Sequence, residues 1–484
     1  MKISKGKIVL YNGINRSLFS GMDPVNLGLL AISAVLKQHG YQTVLIPNID
    51  DPKSLQILKK EIKSALMVGV SCMTGDPLLN AIKFSQIAKR LKPNIPICWG
   101  GYHVTFDYHN SMKEDFIDYI IRGQGEKSVI ELLTSIQKKS GFKNILGLVY
   151  RHRGKVIVNP DRPIESIDQF PRYDYQLYSD SIYPRQIDYL QYCSSRGCPF
   201  ECAFCSVSKF YGKRYLVYST KRFLSDIDYL VKTFHPQTIN FLDDNFFVDM
   251  SRVNAFLYEY IKKKYTFTWW AQSRASSSAT KDGRLLARLR LCNCTSISIG
   301  AESGSRRMLK LIKKHLNPSD IISSCKNISK YGLVPDYGFI SGFPDEKISD
   351  LYKTLDIIRR LIKINPKTGI RLYGLLPFPG TPILSACIKH GFVYPDNMAG
   401  WAKYEFHSYI APWVTLKHQK LIKTVIWITA FVSTQIQPST GRFYVDIPLT
   451  LLHYDAKWRL RHNFFNFAPE WNLYYSLYKR HYQT

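Results

Sequence analysis

Along the first part of the chain, short runs of consecutive apolar residues alternate with segments whose apolar positions recur at helical spacing. The runs Ile8–Tyr11, Thr43–Ile46, Leu66–Val70, Ile95–Trp99 and Asp118–Ile121 read as strands buried on both faces. Between them, Leu27–His39 stops at Gly40, and Asp76–Leu91 carries Pro77 in its first turn, both helix signatures. This alternation predicts a doubly wound, flavodoxin-like α/β domain over residues 1–143. Residues 144–185 change character, with a short hairpin about Arg153-Gly154 and then a Pro- and Tyr-rich run, and read as a linker. From Tyr189 the alternation resumes. The strands are Tyr189–Cys193, Thr238–Leu242, Phe267–Ala271, Thr295–Ile299, Asp336–Ile340 and Gly369–Leu375, with helices such as Lys221–Thr233, Val253–Lys264 and Pro318–Tyr331 between them. Six such repeats over residues 186–384 predict a partial (β/α)6 barrel with its active residues at the carboxyl ends of the strands. Residues 385–484 lose the α/β period and read as a mainly helical, aromatic-rich region.

Composition narrows the class. At 484 residues and 45% hydrophobic content, the chain can bury more than one core. Its 66 Lys and Arg against 37 Asp and Glu give a net charge of +29. The basic residues are spread rather than clustered, so the charge favours acidic or phosphorylated partners only weakly and makes nucleic acid an unconvincing target. It leaves room for peripheral membrane contact. The run Leu421–Val432 includes Lys423 and is too short to span a bilayer, so it reads as a buried or interfacial helix. The start, MKISKGKIVLYNG, runs straight into a strand without a secretory pattern, which predicts a cytoplasmic enzyme.

Candidate chemistry falls at strand ends. In the first domain small residues collect there: Ser71, Gly100-Gly101, and Gly123 with Gly125, positions where a bulky ligand can approach the backbone. After the first strand of the second domain comes Cys193-Ser-Ser-Arg-Gly-Cys198-Pro-Phe-Glu-Cys202-Ala-Phe-Cys205. Three loop thiolates at i, i+4 and i+7 can reach three corners of an iron–sulfur cubane and leave one iron open. A zinc knuckle is the competing reading. Such sites pair two close Cys or His sets, and Cys292-Asn-Cys294 has the wrong spacing for a second. Cys193 reads as a strand residue.

Cys-x3-Cys-x2-Cys with Phe204 before its last cysteine resembles the signature of the radical S-adenosylmethionine (SAM) superfamily. The resemblance implies a 4Fe–4S cluster on Cys198, Cys202 and Cys205 as metal ligands and catalytic residues. Its open iron would chelate SAM and cleave it reductively to methionine and a 5′-deoxyadenosyl radical. Later segments match in order. Phe204 would pack near the adenine. Asp243 and Asp244 end the second strand, where the family places polar groups near the methionyl amine, although the pair could equally cap a helix. Gly300 and Glu302 end the fourth strand, with Glu302 toward the ribose or methionyl end. Ile340 and Gly342 lie on the strand that resembles the adenine-binding one, followed by Asp345 and Glu346 as rival acids. The first domain is similar to the cobalamin-binding domain that precedes many radical SAM domains. It matches through Leu27-Gly28, Ser71, Gly100-Gly101 and Gly123-Gln124-Gly125-Glu126, which would surround cobalamin. The Asp-x-His-x-x-Gly motif of classical mutases is absent, so His103 is not expected to ligate cobalt.

The resemblance implies cobalamin-dependent methyl transfer to an unactivated carbon. A radical ring formation, rearrangement or oxidation is the alternative. The substrate would be a small molecule, lipid, tetrapyrrole or peptide, with a flavodoxin or ferredoxin as reductant. A tRNA-modifying enzyme would carry a second cysteine trio, and the first domain has only Cys72 and Cys98. The tryptophans Trp401, Trp413, Trp427, Trp458 and Trp471 read as core, with a cavity roof as the other reading.

Overall fold

Ile8, Val9 and Leu10 are at most 1% exposed, as a strand whose successive side chains enter two different cores requires. Tyr11 stacks on Phe84 of the helix Pro77–Leu91 with ring centroids 4.1 Å apart. A computed structural model describes residues 4–13, 26–179, 188–404, 409–432 and 443–465, with side chains in the last stretch from Thr450 onward.

The first sheet contains β1 (Lys7–Gly13), β2 (Gln42–Ile46), β3 (Ala65–Cys72), β4 (Ile97–Gly100), β5 (Tyr119–Ile121), β6 (Leu148–His152) and β7 (Lys155–Val158), ordered β2-β1-β3-β4-β5-β6-β7. Strands β1 to β5 are mutually parallel. The β6–β7 hairpin adds antiparallel to β5. The hairpin expected inside the 144–185 connection is therefore the edge of the first sheet. The connecting chain begins after Val158, and residues 180–187 lie outside the described residues.

The second half opens with β8 (Tyr189–Tyr192). A two-residue antiparallel ladder follows, β9 (Ser195–Arg196) with β10 (Leu216–Val217), and closes the cysteine loop at its base. Then come β11 (Thr238–Phe241), β12 (Thr268–Ser273), β13 (Cys294–Glu302), β14 (Val334–Ser341) and β15 (Gly369–Gly374). With β8 they form one six-stranded parallel sheet, ordered β15-β14-β13-β12-β11-β8. Its linear order makes it an open, partial barrel.

The described residues of the C-terminal region form helices that tie both halves together. Leu416–Val432 is a helix against β15, where the Leu372 amide donates to Thr429 Oγ1 at 3.1 Å. Trp401 is fully buried with its ring edge-on to His103 of the first half. Tyr394 donates to Asp107 Oδ1 at 2.8 Å. Trp458 is 51% exposed, so it is not core, and Trp471 lies outside the described residues. Among the described residues no helix is long and apolar enough to cross a membrane.

Candidate active site

In the second half the site begins at Gly197, in the left-handed region at φ +86°. A Cβ there would meet Arg214 O at 2.3 Å, so only glycine allows the turn into the loop. Asp244, just past β11, accepts from the Gly197 amide at 2.9 Å. The residue is exposed to solvent, and partial desolvation by the protein packed around it pushes its pKa up to about 6. Asp243 is fully buried. It accepts from the Ser194 amide at 3.1 Å, from Ser194 Oγ at 2.6 Å and from Ser195 Oγ, with Arg252 Nη1 3.5 Å away. Of the acidic pair expected near the methionyl amine, Asp243 is thus consumed in fastening the end of β11 to the residues ahead of the cysteine loop. Asp244 alone faces the cysteines. Neither caps the next helix, whose N-cap is Asp249.

Cys198, Cys202 and Cys205 are free thiols. Each of Cys198 and Cys205 has the other two cysteines or Cys202 among its charged neighbours, and burial pushes Cys205 up to about 11. A metal held there would supply the positive charge that a buried thiolate lacks, and a cubane takes one thiolate per iron, so its ligands need not converge on one point. The donor set fits an iron–sulfur cluster. Cys193 is electrostatically beside Asp243 and Asp244, and burial raises its thiol. Cys72 and Cys98 are buried in the first sheet.

Phe204 lies between two strand ends. Its ring meets Phe343, next to Gly342, edge-on at 6.0 Å. The Lys314 ammonium sits 5.9 Å from its centroid. Lys314 Nζ donates to Glu302 Oε1 at 2.7 Å. Glu302 ends β13 at φ +62°, and a Cβ on Gly300 would collide with the pair, at 2.4 Å from Glu302 Oε1 and 2.8 Å from Lys314 Nζ. Gly300 therefore makes room for an internal ion pair, and Glu302 already has a buried partner. Ile340 is partly buried on β14. Gly342 (φ +93°) follows it, its carbonyl accepting from Trp413 Nε1 at 3.0 Å. Of the rival acids, Asp345 is exposed beside His390. The Glu346 side chain is buried, accepts from Ser341 Oγ at 2.9 Å and from the Gly342 amide, and is pushed up to about 7 by burial.

In the first half, Leu27, Gly28, Ser71, Gly100, Gly101, Gly123 and Gly125 form a partly exposed face over the strand ends. Asn26 caps the helix Leu27–Gln38 and donates to Ser71 Oγ at 3.2 Å. A Cβ on Gly100 would find its nearest atom at 3.8 Å and one on Gly123 nothing within 4 Å, so space stands above β4 and β5. That open cradle fits a bulky ligand such as cobalamin. Gly101 differs: at φ +103° its Cβ would meet Cys72 O at 2.8 Å, a demand of the backbone itself. His103 is 1% exposed and shares a hydrogen bond with Thr74 at 3.0 Å, and burial lowers its pKa to about 3. It is a buried imidazole held neutral by its surroundings. Glu126 is buried and accepts from Arg196 Nη1 at 2.5 Å, across the two halves. Its expected place around cobalamin thus comes with a buried partner from the second half.

The two faces meet. Tyr102, after β4, stacks on Phe210 at 4.4 Å and has Tyr211, Asp244 and Cys205 as neighbours. Sequence reasoning missed four basic residues here: Arg196, Arg252, Arg274 and Lys314. Arg196 and Arg274 stand just past the strands β8 and β12, whereas nothing local in the sequence draws Arg252, inside a helix, or Lys314, past one, to the site.

Two parallel sheets with apposed carboxyl ends, one bearing a three-thiol loop and the other an open glycine-lined cradle, define an enzyme that works with two large cofactors. Residues 19–133 match the family model described as the B12 binding domain, and residues 192–358 the one described as the Radical SAM superfamily. The uncharacterized methyltransferase PH0819 of Pyrococcus horikoshii is 30% identical over 93% of both chains. The anaerobic magnesium-protoporphyrin IX monomethyl ester cyclase of Rubrivivax gelatinosus is 27% identical over 68% of this chain and 60% of its own. The structure of the methyltransferase TsrM from Kitasatospora setae, with cobalamin and a [4Fe–4S] cluster bound, shares the fold. Its TM-score is 0.67 at 15% identity, with 95% of this chain and 89% of that chain covered. The chain belongs to the cobalamin-dependent radical SAM methyltransferase family. Its cofactors are a 4Fe–4S cluster, SAM and cobalamin.

Proposed function

We propose that the enzyme methylates an unactivated carbon of a small organic, lipid, tetrapyrrole or peptide substrate held between the two sheets. The observation that carries the reading is the apposition of the faces, with Tyr102 of the first half reaching Asp244 and Cys205 of the second. When bound, the cluster with SAM supplies a carbon-directed radical, and cobalamin supplies a methyl group. Cys198, Cys202 and Cys205 hold the cluster. Asp244 and Gly197 set the entrance of its loop. Phe204 and Ile340, with the Gly342 turn, form an apolar wall for the adenine, while the Lys314–Glu302 pair offers polar atoms at the end of β13. Leu27, Gly28, Ser71, Gly100, Gly123 and Gly125 cradle cobalamin, and the backbone turn at Gly101 shapes that cradle. The cobalamin domain runs to the end of β7 at residue 158, the radical core spans 188–384, and the described helices between Leu384 and His462 form a cover. A flavodoxin or ferredoxin delivers the electron.

The cyclase relative favours a second reading, ring formation or oxidation with the same parts. The first test needs no substrate. Protein reconstituted anaerobically with iron, sulfide and cobalamin, then reduced with dithionite, should release 5′-deoxyadenosine from SAM. Release that is unchanged in Cys202→Ala would sink the cluster assignment.

A further inference from the structure

Arg274 is a buried cation that the proposed function leaves without a task. It follows β12 and is only 6% exposed. Its guanidinium sits over the Phe200 ring, with the central carbon 3.8 Å from the ring centroid. Nη1 donates to Cys202 Sγ at 3.7 Å, within reach of a hydrogen bond to sulfur. Nη2 donates to the Lys314 carbonyl, and Nε is buried with no hydrogen-bond partner. Among the ion pairs of the described residues Arg274 has no carboxylate partner, although Arg196, Arg252 and Lys314 each have one. An arginine stays charged at any working pH. A buried, always-charged group without a counter-ion is costly unless something negative is placed beside it. Cys202 Sγ is the anionic candidate it touches, and the charge of Arg274 also favours the thiolate of Cys198.

We infer that Arg274 is a positioning residue of the cluster: it fixes Cys202 through a charge-assisted hydrogen bond and raises the reduction potential of the metal site, so that a cellular donor can reduce it. This rests on the reading of Cys202 as a cluster ligand. A one-electron reduction adds one negative charge to the cluster. A fixed cation at its ligand sulfur stabilises that charge, and hydrogen bonds to sulfur together with net charge set such potentials. The contact with the Phe200 ring and the bond to Lys314 O hold the guanidinium in register, so little ordering remains for the moment of reduction.

The test is a potentiometric titration of the cluster-loaded full chain, without SAM, followed by EPR of the reduced state. Arg274→Gln should disfavour reduction at least about tenfold, ~59 mV for a one-electron couple. Arg274→Lys should keep most of the wild-type value. Equal potentials in wild type and Arg274→Gln, with the cluster intact, would overturn the inference. A second measurement covers the case in which Arg274→Gln loads no cluster. Wild-type protein labelled with guanidino-15N arginine should show 15N coupling to the reduced cluster by pulsed EPR, and Arg274→Lys should lose it. No coupling in the wild type overturns the contact. Failure of the wild-type protein to take up any cluster is a different result, because it removes the cysteine assignment itself.

Discussion

Gly100 and Gly101 are neighbours with different duties. Gly100 borders open space, so Gly100→Trp should block cobalamin uptake while the thermal midpoint stays near the wild-type value. Gly101 sits at φ +103° against the Cys72 carbonyl, so even Gly101→Ala should lower stability, by about 1–3 kcal/mol. Absorbance after cobalamin reconstitution and a melting curve separate the two roles. Uptake by Gly100→Trp equal to wild type would remove Gly100 from the cradle. Both glycines were legible in the sequence as strand-end residues, but their division of labour was not, because it depends on the backbone direction at each. The cysteine trio was legible because three thiolates at fixed short spacing in a loop have few structural explanations. The fastening duty of Asp243 was not legible, because a buried acid that ties two strand ends looks, in sequence, like one that faces a ligand. Glu346 gives a prediction in pH. Its pKa of about 7 lies above the ordinary 4.5, mainly through burial, with His418 3.8 Å away and Asp350 nearby. The folded protein therefore holds a proton that the unfolded chain has already released between pH 4.5 and 7, so stability falls as pH rises through that window. Glu346→Gln should flatten the decline while keeping an acceptor for the Gly342 amide. Melting curves at pH 5 and pH 8 that fall equally in both proteins would contradict it.

At the scale of elements, the parallel strands were readable because each is an apolar run bounded by turns, and a run buried on both faces needs no partner information to be seen. The β6–β7 hairpin was seen but placed in a linker, since nothing local in Leu148–Val158 encodes which strand edge it will join. The ion pair between Glu126 and Arg196 was invisible for the same reason. It joins the helix Glu126–Lys138 to the loop two residues ahead of Cys198, and both side chains are largely buried, at 4% and 14% exposure. Glu126→Ala leaves Arg196 uncompensated and should cost about 3–5 kcal/mol. Glu126→Ala combined with Arg196→Met should recover part of that loss. A double variant as unstable as the sum of the two singles would show that the pair does not couple the halves.

For the whole molecule, the basic charge and the aromatic C-terminal region proved poor guides, because neither specifies where its residues go. The fold puts Trp401 in a seam with the first half, sends Trp413 to Gly342, and leaves Trp458 exposed. What the assembly does specify is a contact between the strand-end faces of the two halves, an arrangement that serves methyl transfer and ring formation alike, so the products must separate them. If the account is right, each product consumes two molecules of SAM, one giving up its methyl group and the other cleaved reductively. The direct measurement is turnover of the reconstituted enzyme on a metabolite extract from a strain lacking it, with methyl-deuterated SAM and both nucleosides quantified. Equal amounts of S-adenosylhomocysteine and 5′-deoxyadenosine, with deuterated methyl in a new product, are predicted. 5′-Deoxyadenosine alone, with no label in any product, would contradict methyl transfer.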